Sequence, residues 1–519
     1  MKGKSLQVIF AAGIVLTMLV AVTIVSAQSV TETNVSPTAA HFPQNKQNES
    51  PMAVNPLDAN NAISGANDEI QEPDCTPATG GSSSCPFAPG VDTSGVYWTT
   101  DGGASWNRSI LDWYPSAGIT SDGDPVVAFG PKPDGHGGFT YANGARAYFG
   151  SLAGSPSFGP NQEVLAVSYS DDGGATWSDP IMATTRTNPV NFNDKISIWA
   201  DSNPDSPYFG NVYVGWTLFT GNGNFGNSPT YLPEPIMIAR STDGGQTFEK
   251  PRKLSPSHNN GIVGGRQGSV IRTAPNGDVY VFWEGAMSQQ SAQVGALSTD
   301  GGRSFGRPFL VAYVNDIPSP FPGASFRTDS FPLADIDSSG NLYVVWADYT
   351  NGHSVVKLAK STDSGAHWSV NTAADVSGRS AFYPTVAVSG DNIFIGFNAI
   401  DDVSSGTAPG AGVVLYDAYY VLSTNGGANF GAWAKISASS SDPDVASANG
   451  LTSQFIGDYN GAAASPDGSF WFSWTDTRNG ATCAEVDALR AGTGPRPNIY
   501  DSCPAGFGNS DIYVAHVEP

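Results

Sequence analysis

An eight-residue segment recurs six times along this chain of 519 residues, and it constrains the fold more than any other feature. Each copy follows the pattern Ser/Thr-x-Asp-x-Gly-x-x-Trp/Phe, with Asn replacing Asp in the last copy. The copies are Thr99–Trp106, Ser170–Trp177, Ser241–Phe248, Ser298–Phe305, Ser361–Trp368 and Ser423–Phe430. Repeats at this spacing indicate one architecture built from similar units, rather than a series of unrelated domains.

The chemistry of this octapeptide predicts a tight turn between two strands. Its first hydroxyl and its carboxylate can accept hydrogen bonds from N–H groups of the turn, and its glycine allows a positive φ angle. The residues at the third position are Asp101, Asp172, Asp243, Asp300, Asp363 and Asn425. We expect these six side chains to have a structural role, and the closing aromatic residue to pack between neighbouring sheets.

Each octapeptide lies within a longer unit of short strands, and these units fill the chain from about residue 45 to its end. The fourth unit has predicted strands at Ser269–Ala274, Val279–Trp283 and Val294–Ser298, directly before its octapeptide. The high content of glycine (60 residues) and proline (37 residues) agrees with many short strands joined by turns. The repeats leave no linker for a second folded domain.

The octapeptides resemble the Asp box, or BNR repeat, of sialidases and related propellers. This resemblance implies an all-β fold, a single β-propeller of four-stranded antiparallel blades with the boxes on the face opposite the substrate. Seven innermost strands are predicted against six boxes, so seven blades are preferred and six are the alternative. The last unit lacks an outer strand, which residues 31–41 of the otherwise loose segment 28–44 could supply. Pairing the two ends of the chain would then close the ring and remove its open edges.

The N-terminus has the features of an export signal. Lys2 and Lys4 precede an apolar run over residues 6–25, and Val25, Ser26 and Ala27 offer small residues for cleavage. We therefore predict that residues 1–27 are a signal peptide and that the protein is secreted. Because the run has about the length of a membrane span, an uncleaved anchor is the alternative.

Four cysteines agree with an oxidising destination. Among the three connectivities, the preferred one pairs near neighbours, Cys75 with Cys85 and Cys483 with Cys503. A zinc site is the weaker interpretation, because the chain has no CxxC spacing and none of its histidines is next to a cysteine.

The net charge of −23 argues against nucleic acid and anionic lipid as partners. Neither the GxSxG motif of serine hydrolases nor the HExxH motif of zinc proteases occurs. We expect no cofactor, although structural calcium could bind among the many Asp turns. The expected partner is an extracellular glycan or glycoprotein, and the expected state is a monomer.

Residues just before the innermost strands and just after the second strands share one face of a propeller, so they are candidates for a site. The first set is Glu49, Asp122, Asp124, Asp194, Lys195, Arg266, Arg327, Asp329, Arg379, Tyr383, Asp458 and Tyr459. The second set is Asp68, Glu69, Glu284, Asp348, Tyr349, Asp401, Asp402, Asp476 and Arg478.

The resemblance implies sialidase chemistry on this face. A sialidase binds the substrate carboxylate with an arginine cluster, and uses a tyrosine nucleophile together with carboxylic acid and base groups. Substrate-binding candidates are Arg266, Arg327 and Arg379. Catalytic candidates are Tyr459 as nucleophile and Glu284 or Asp194 as its partner. The function expected from the resemblance is a secreted glycoside hydrolase of the exo-α-sialidase type.

A non-catalytic function is the alternative. No arginine precedes the first octapeptide, and the Phe/Tyr-Arg-Ile/Leu-Pro motif that sialidases carry there does not occur. The chain would then be a propeller that binds extracellular glycan or protein without cleaving it, because a fold does not by itself carry an activity.

Overall fold

The computed structural model describes residues 29–75, 85, 87–155, 163–184, 191–220, 234–255, 267–401 and 414–518. Within these ranges the chain forms seven separate antiparallel sheets, which follow one another along the sequence. The structure is a seven-bladed β-propeller, as preferred from the sequence, and the six-bladed alternative is wrong. The predicted signal peptide lies outside the described residues.

The first three blades follow an N-terminal strand, β1 (Val30–Asn34), which belongs to another sheet. The first blade contains β2 (Gln47–Asn48), β3 (Met52–Val54), β4 (Ala62–Asp68), β5 (Ser94–Thr99) and β6 (Asn107–Ile110). The second contains β7 (Thr120–Ser121), β8 (Val126–Pro133), β9 (Phe139–Gly154), β10 (Val164–Ser170) and β11 (Ile181–Met182). The third contains β12 (Asn191–Ala200), β13 (Val212–Thr220), β14 (Ile236–Ser241) and β15 (Arg252–Lys253).

The remaining blades repeat this order of innermost to outermost strand. The fourth contains β16 (Gln267–Thr273), β17 (Val279–Met287), β18 (Gln290–Ser298) and β19 (Phe309–Tyr313). The fifth contains β20 (Leu333–Ile336), β21 (Leu342–Thr350), β22 (His353–Ser361) and β23 (Ser369–Ala374). The sixth contains β24 (Arg379–Ser389), β25 (Asn392–Asp401), β26 (Tyr416–Ser423) and β27 (Ala434–Lys435). The seventh contains β28 (Gly461–Ala464), β29 (Phe470–Asp476) and β30 (Asp511–Val517).

The two ends of the chain close the ring. Strand β1 pairs antiparallel with β30, from Val30 opposite Val517 to Asn34 opposite Tyr513, and becomes the outermost strand of the seventh blade. The sequence therefore located the closing strand correctly, since the observed strand overlaps the start of residues 31–41. Closure matters because an unpaired outer edge would leave backbone N–H and C=O groups free to pair with another chain.

Each octapeptide forms the turn between the third and fourth strands of its blade. In the fourth blade, the hydroxyl of Ser298 donates to Asp300 Oδ1 at 2.8 Å and accepts the N–H of Gly302 at 2.8 Å. Asp300 Oδ1 also accepts the N–H of Ser304 at 2.8 Å. The third-position side chains of the other five octapeptides make the same bonds with their own turns.

The octapeptide also packs against a neighbouring blade through the glycine at its fifth position. A Cβ atom on Gly245, in the third blade, would lie 3.0 Å from the ring of Tyr148 in the second blade. A Cβ on Gly302 would lie 2.7 Å from the ring of Tyr213 in the third blade. Both glycines have φ angles of +81°. The position therefore needs glycine twice over, for its backbone conformation and for close approach of the neighbouring aromatic ring.

The few helices lie in the connections between strands: α1 (Tyr114–Ala117), α2 (Ala484–Arg490) and α3 (Ile499–Ser502). Both predicted disulfides are present, Cys75–Cys85 and Cys483–Cys503, and their sulfurs share one small hydrophobic cluster with Leu451. No helix within the described ranges has the length and hydropathy needed to cross a membrane.

Arg478 holds the closing strand with charge as well as backbone pairing. Its Nη1 donates to Glu32 Oε1 of β1 at 2.6 Å, and its Nη2 donates to Asp476 Oδ2 of β29 at 2.8 Å. Its guanidinium lies 4.2 Å from the centre of the Tyr513 ring. The side chain of Asp476 is 1% exposed, so its charge depends on this partner.

We expect Arg478→Met to lower the free energy of unfolding by about 3–5 kcal/mol, because it leaves a buried carboxylate without a cation. Urea unfolding followed by tryptophan fluorescence measures the change. Arg252→Met is the matched control, since Arg252 is exposed on the outermost strand of the third blade, and a change below about 0.5 kcal/mol is expected there. Equal effects of the two substitutions would contradict this role for Arg478.

Candidate functional site

The innermost strand of five blades is interrupted by a β-bulge near its first residues. In the third blade, Lys195 and Ile196 stand opposite the single residue Trp216. Equivalent irregularities occur in the first, second, fourth and sixth blades. Each bulge contains a residue with a positive φ angle: Glu49 (63°), Asp124 (50°), Lys195 (53°), Gly268 (69°) and Tyr383 (48°), and Gly123 (94°) directly precedes Asp124. We call these five the bulge residues.

Four of the five bulge residues are not glycine, although glycine is the residue that adopts this conformation without strain. A non-glycine residue held there costs about 1–3 kcal/mol, and such strain concentrates at functional sites. Because the innermost strands all start at the same end of the ring, the four side chains gather there. We call this end of the central channel the mouth.

The interior of the channel is too small to be the binding site itself. It is lined by residues from the innermost strands of all seven blades, and its free space is about 110 Å³. For comparison, an engineered apolar cavity of about 150 Å³ holds one benzene molecule. A larger ligand must therefore bind at the mouth, where Lys195 and Tyr459 line the upper end of the channel.

Hydrogen bonds connect the first four blades around one side of the mouth. Asn67 donates to Glu49 Oε2 at 3.1 Å and accepts the backbone N–H of Asp124 at 2.8 Å. The backbone N–H of Lys195 is shared by two carboxylates, Asp124 Oδ2 at 3.0 Å and Asp194 Oδ1 at 2.8 Å. The second oxygen of Asp194 accepts from Gln267 at 3.4 Å. The bulges thus turn backbone donors toward the acidic side chains that they hold.

The other side of the mouth is closed by contacts among the fifth, sixth and seventh blades. Arg327 binds Asp458 with both ends of its guanidinium, its Nε at 2.8 Å from Oδ1. The hydroxyl oxygen of Tyr383 lies 2.7 Å from the carbonyl oxygens of both Arg327 and Gly457, which share its single hydrogen. Asn460 in turn donates to the carbonyl oxygen of Tyr383 at 3.0 Å. These bonds fix the segment that carries Asp458.

Several carboxyl groups at the mouth hold their protons unusually strongly. Burial, together with the charge of Asp124, raises the pKa of Asp194 to about 8. Burial and the charges of Asp124 and Asp458 raise the pKa of Glu49 well above its usual value. Burial and the charge of Asp92 raise the pKa of Asp122 to about 6. At neutral pH the side chain of Asp194 is therefore mostly a protonated acid.

Asp458 has the opposite environment. Burial alone would raise its pKa, but the charge and hydrogen bonds of Arg327, with the charge of Lys195, lower it below the usual value. The mouth therefore contains one carboxyl that is protonated at neutral pH, Asp194, and one that is ionised, Asp458. Their charges interact, because Asp458 is among the groups that raise the pKa of Asp194.

Tyr459 lies at the centre of the mouth with its ring beneath a cation. The Nζ of Lys195 is 3.3 Å from the centre of the ring, and the hydroxyl donates to the carbonyl oxygen of Pro125 at 2.7 Å. Burial and the charge of Glu49, followed by that of Asp124, raise the pKa of the phenol well above its usual value. The charge of Asp194 also contributes to this shift, and the phenol is held in its neutral form.

Glu284, the other predicted carboxyl partner, lies on β17 opposite Gln267. Burial raises its pKa well above the usual value, and the charges and hydrogen bonds of Asp329 and Asp316 add to the shift. Asp316 is held by the hydroxyl of Ser291 at 2.6 Å. Glu284 therefore belongs to a second group of acids, which borders the mouth on the fourth and fifth blades.

The predicted arginines do not share a partner. Arg327 pairs with Asp458 at the mouth, whereas Arg379 pairs with Asp401 and Asp417 of its own blade, each at 2.9 Å. Arg266 and Asp402 lie outside the described residues. The two arginines that can be followed are thus each neutralised by carboxylates of the protein.

Metal binding has little support from the side chains seen here. Within the described ranges, no group of three or more His, Cys, Asp or Glu residues has the geometry to hold a metal ion. Calcium binding at Asp turns stays a prediction from composition.

Asn67 and Asn460 are the site residues that sequence reasoning missed. Both are uncharged, and neither belongs to a recognisable motif. Yet Asn67 joins Glu49 to Asp124, and Asn460 joins Tyr383 to the seventh blade. Their positions, at the end of a second strand and just before an innermost strand, are the one signal that could have identified them.

No protein-family model and no curated protein matches the sequence. Among solved structures, a Hadza microbial sialidase is 14% identical, with a TM-score of 0.41 over 72% of this chain and 69% of that chain. A protein of unknown function from Dyadobacter fermentans is 13% identical, with a TM-score of 0.43 over 78% and 99% of the two chains. A leech intramolecular trans-sialidase is 12% identical, with a TM-score of 0.42 over 70% and 67%. These likenesses concern the fold.

The acidic mouth predicts that the protein becomes more stable on mild acidification. Carboxyls such as Asp194, with a pKa of about 8 in the folded protein and an ordinary value of 3.8, oppose folding when the pH is high. This opposition disappears as the pH falls from about 8 toward 4, so the melting temperature should rise between pH 8 and pH 5. Asp194→Asn should flatten that rise, while Asp205→Asn, in an exposed turn on the opposite face, should not. A melting temperature that falls over this range would contradict the prediction.

Proposed function

We propose that this protein is a secreted glycoside hydrolase whose active site is the mouth of the propeller. The observation that carries the proposal is the pair of carboxyls with opposite titration, Asp194 protonated and Asp458 ionised at neutral pH. Glycosidases need one carboxylic acid to protonate the leaving oxygen and one carboxylate to act on the opposite side of the sugar. Environments that separate two carboxyl pKa values identify these roles.

In this proposal Asp194 is the general acid. Its position is fixed by the N–H of Lys195 at 2.8 Å on one oxygen and by Gln267 at 3.4 Å on the other. A pKa of about 8 keeps the proton available at neutral pH and lets it transfer to a glycosidic oxygen. Burial, together with the charge of Asp124 held beside it by the same N–H, keeps that proton bound.

Asp458 supplies the negative charge that a cationic sugar transition state requires. Its two contacts with Arg327 orient the carboxylate and keep it ionised. The Arg327 side chain is 64% exposed, whereas the carboxylate is 15% exposed, so the pair is reached from solvent through the arginine side. Arg327 is therefore a positioning residue for Asp458 in this mechanism.

Tyr459 has a different role from the nucleophile expected by resemblance. Because its hydroxyl is bonded to the Pro125 carbonyl oxygen and its pKa is raised, the phenol is poorly suited to attack a sugar carbon. We propose that its ring forms the floor of the site, on which a sugar can stack. This assignment leaves Asp194 as the retained member of the predicted catalytic set, with Asp458 added to it.

Secretion is supported by the two disulfides, which persist in oxidising compartments. The charged and then apolar N-terminal sequence adds to this support. The proposed substrates are therefore glycans outside the cell.

The test is turnover of a panel of fluorogenic glycosides that includes an α-sialoside and neutral hexosides. We expect the wild type to cleave one of them, and Asp194→Asn and Asp458→Asn each to lower kcat by about 10²–10⁴-fold. The value of kcat/KM should fall as the pH rises through about 8, where Asp194 loses its proton. The residual activity of Asp194→Asn should lack that alkaline decline.

Asp205→Asn is the matched control, with the same change of charge in an exposed turn at the opposite end of its blade. It should keep wild-type kcat and KM. Turnover unaffected by both mouth substitutions, or absent with every glycoside of the panel, would overturn the hydrolase proposal.

A non-catalytic glycan-binding propeller is the second candidate, favoured by the engagement of the Tyr459 hydroxyl and by the separate pairing of Arg327 and Arg379. A glycan array probed with the wild type, followed by turnover of each bound glycan, separates the candidates. Bound glycans that stay intact favour this second function, and the absence of any bound glycan counts against it.

A further inference from the structure

Lys195 is a largely buried residue, and none of the described residues gives its charged end a polar partner. The residue is 8% exposed. Its Nζ lies 3.3 Å from the centre of the Tyr459 ring and 5.7 Å from the centre of the Phe331 ring. No ion pair or hydrogen bond links this Nζ to any part of the chain that the structure describes. Lys195 is also one of the four strained bulge residues, so its position is held at a cost.

An ammonium group has three N–H donors, and an unsatisfied donor on a charged group is costly to bury. The face of the Tyr459 ring can accept one of these donors through its π electrons. The others are directed at the free space where the channel meets the mouth, since Lys195 lines that space. An oxygen atom from a ligand can occupy this position and satisfy them.

Two carboxylates already lie beside the charge of Lys195. Its positive charge lowers the pKa of Asp458, and the carboxylate of Asp124 accepts its backbone N–H. The raised pKa values of Asp194 and Glu49 favour their uncharged forms, so these two acids add little charge. An anionic ligand would gain one cation and meet the charges of Asp124 and Asp458, so the electrostatics disfavour it.

The arginines do not change this balance. Arg327 is neutralised by Asp458, and Arg379 by Asp401 and Asp417. A ligand carboxylate would need an unpaired guanidinium to bind in the usual bidentate way. Neither of these two arginines offers one without first releasing a carboxylate of the protein.

We propose that Lys195 is a substrate-binding residue that donates hydrogen bonds to a hydroxyl oxygen of a neutral sugar, and that the site selects neutral over anionic glycosides. The Tyr459 ring then forms the apolar surface beneath the sugar, and the ammonium group at its edge fixes the orientation of the sugar. This inference rests on the proposed function, because it specifies the substrate class of the same mouth.

The experiment measures equilibrium binding rather than turnover, so that it can fail independently of the hydrolase proposal. Isothermal titration of the full mature chain uses the methyl glycosides of galactose, glucose and N-acetylglucosamine, and the methyl α-glycoside of N-acetylneuraminic acid. We expect at least one neutral glycoside to bind the wild type at least tenfold more tightly than the sialoside does.

Lys195→Met removes the ammonium group but keeps an unbranched side chain of similar length, so the backbone strain at this position is unchanged. It should weaken binding of the neutral glycoside by tenfold or more. Lys250→Met, an exposed position after the third octapeptide, is the matched control and should bind like the wild type.

Three results would overturn the inference: a sialoside that binds more tightly than every neutral glycoside, no binding of any neutral glycoside to the wild type, or unchanged affinity in Lys195→Met. If Lys195→Met does not fold, the wild-type comparison of neutral and anionic glycosides still decides the substrate class. Neutral glycosides that bind without being cleaved would support this inference and overturn only the hydrolase proposal.

Discussion

The backbone pairing of β1 with β30 is the interaction on which the rest of the structure depends. It completes the seventh blade and brings that blade beside the first, so that Asp458 and Glu49 meet although they lie near opposite ends of the chain. The bond from the Tyr459 hydroxyl to the Pro125 carbonyl oxygen likewise joins the seventh blade to the second. Because the mouth is assembled from every blade, it exists only in the closed ring. A change that opens the ring would therefore destabilise the fold and disrupt the site together.

The bulges explain how a repeated scaffold produces a local site. A regular innermost strand would place alternate side chains on the two faces of its sheet and direct its N–H groups along the sheet. One extra residue with a positive φ turns an N–H toward the axis, where that of Lys195 binds the carboxylates of Asp124 and Asp194. Gly268 shows that a bulge needs no side chain at this position. The side chains at the other four positions are present in spite of the strain, which is the pattern expected where they interact with a ligand.

Much of the fold could be predicted from the sequence because it depends on local chemistry. The partners of the site residues could not be predicted in this way. The octapeptide turns, such as Ser298–Phe305, depend on bonds between residues at most four positions apart, so the sequence alone specifies them. Asp194, Asp458 and Tyr459 of the candidate face lie close enough for the two carboxyls to raise the pKa of the phenol. The pairing of Arg327 with Asp458 spans 131 positions and depends on how the ring closes. The strained φ of Glu49 or Lys195 has no local signal, because glycine is absent where the conformation would call for it.

The buried carboxyls of the mouth lower the stability of the ring. The raised pKa values of Asp194 and Glu49 mean that the folded chain places carboxyls where their charged forms are unfavourable. The packing of the seven sheets and their aromatic contacts stabilises the fold and offsets this cost. The same packing offsets the cost of the strained bulges. A ligand that displaces water from the mouth lowers the local polarity further and so raises the pKa of Asp194. Binding and protonation are then coupled, so a neutral ligand that brings no charge of its own reinforces the acid form that the proposed reaction requires.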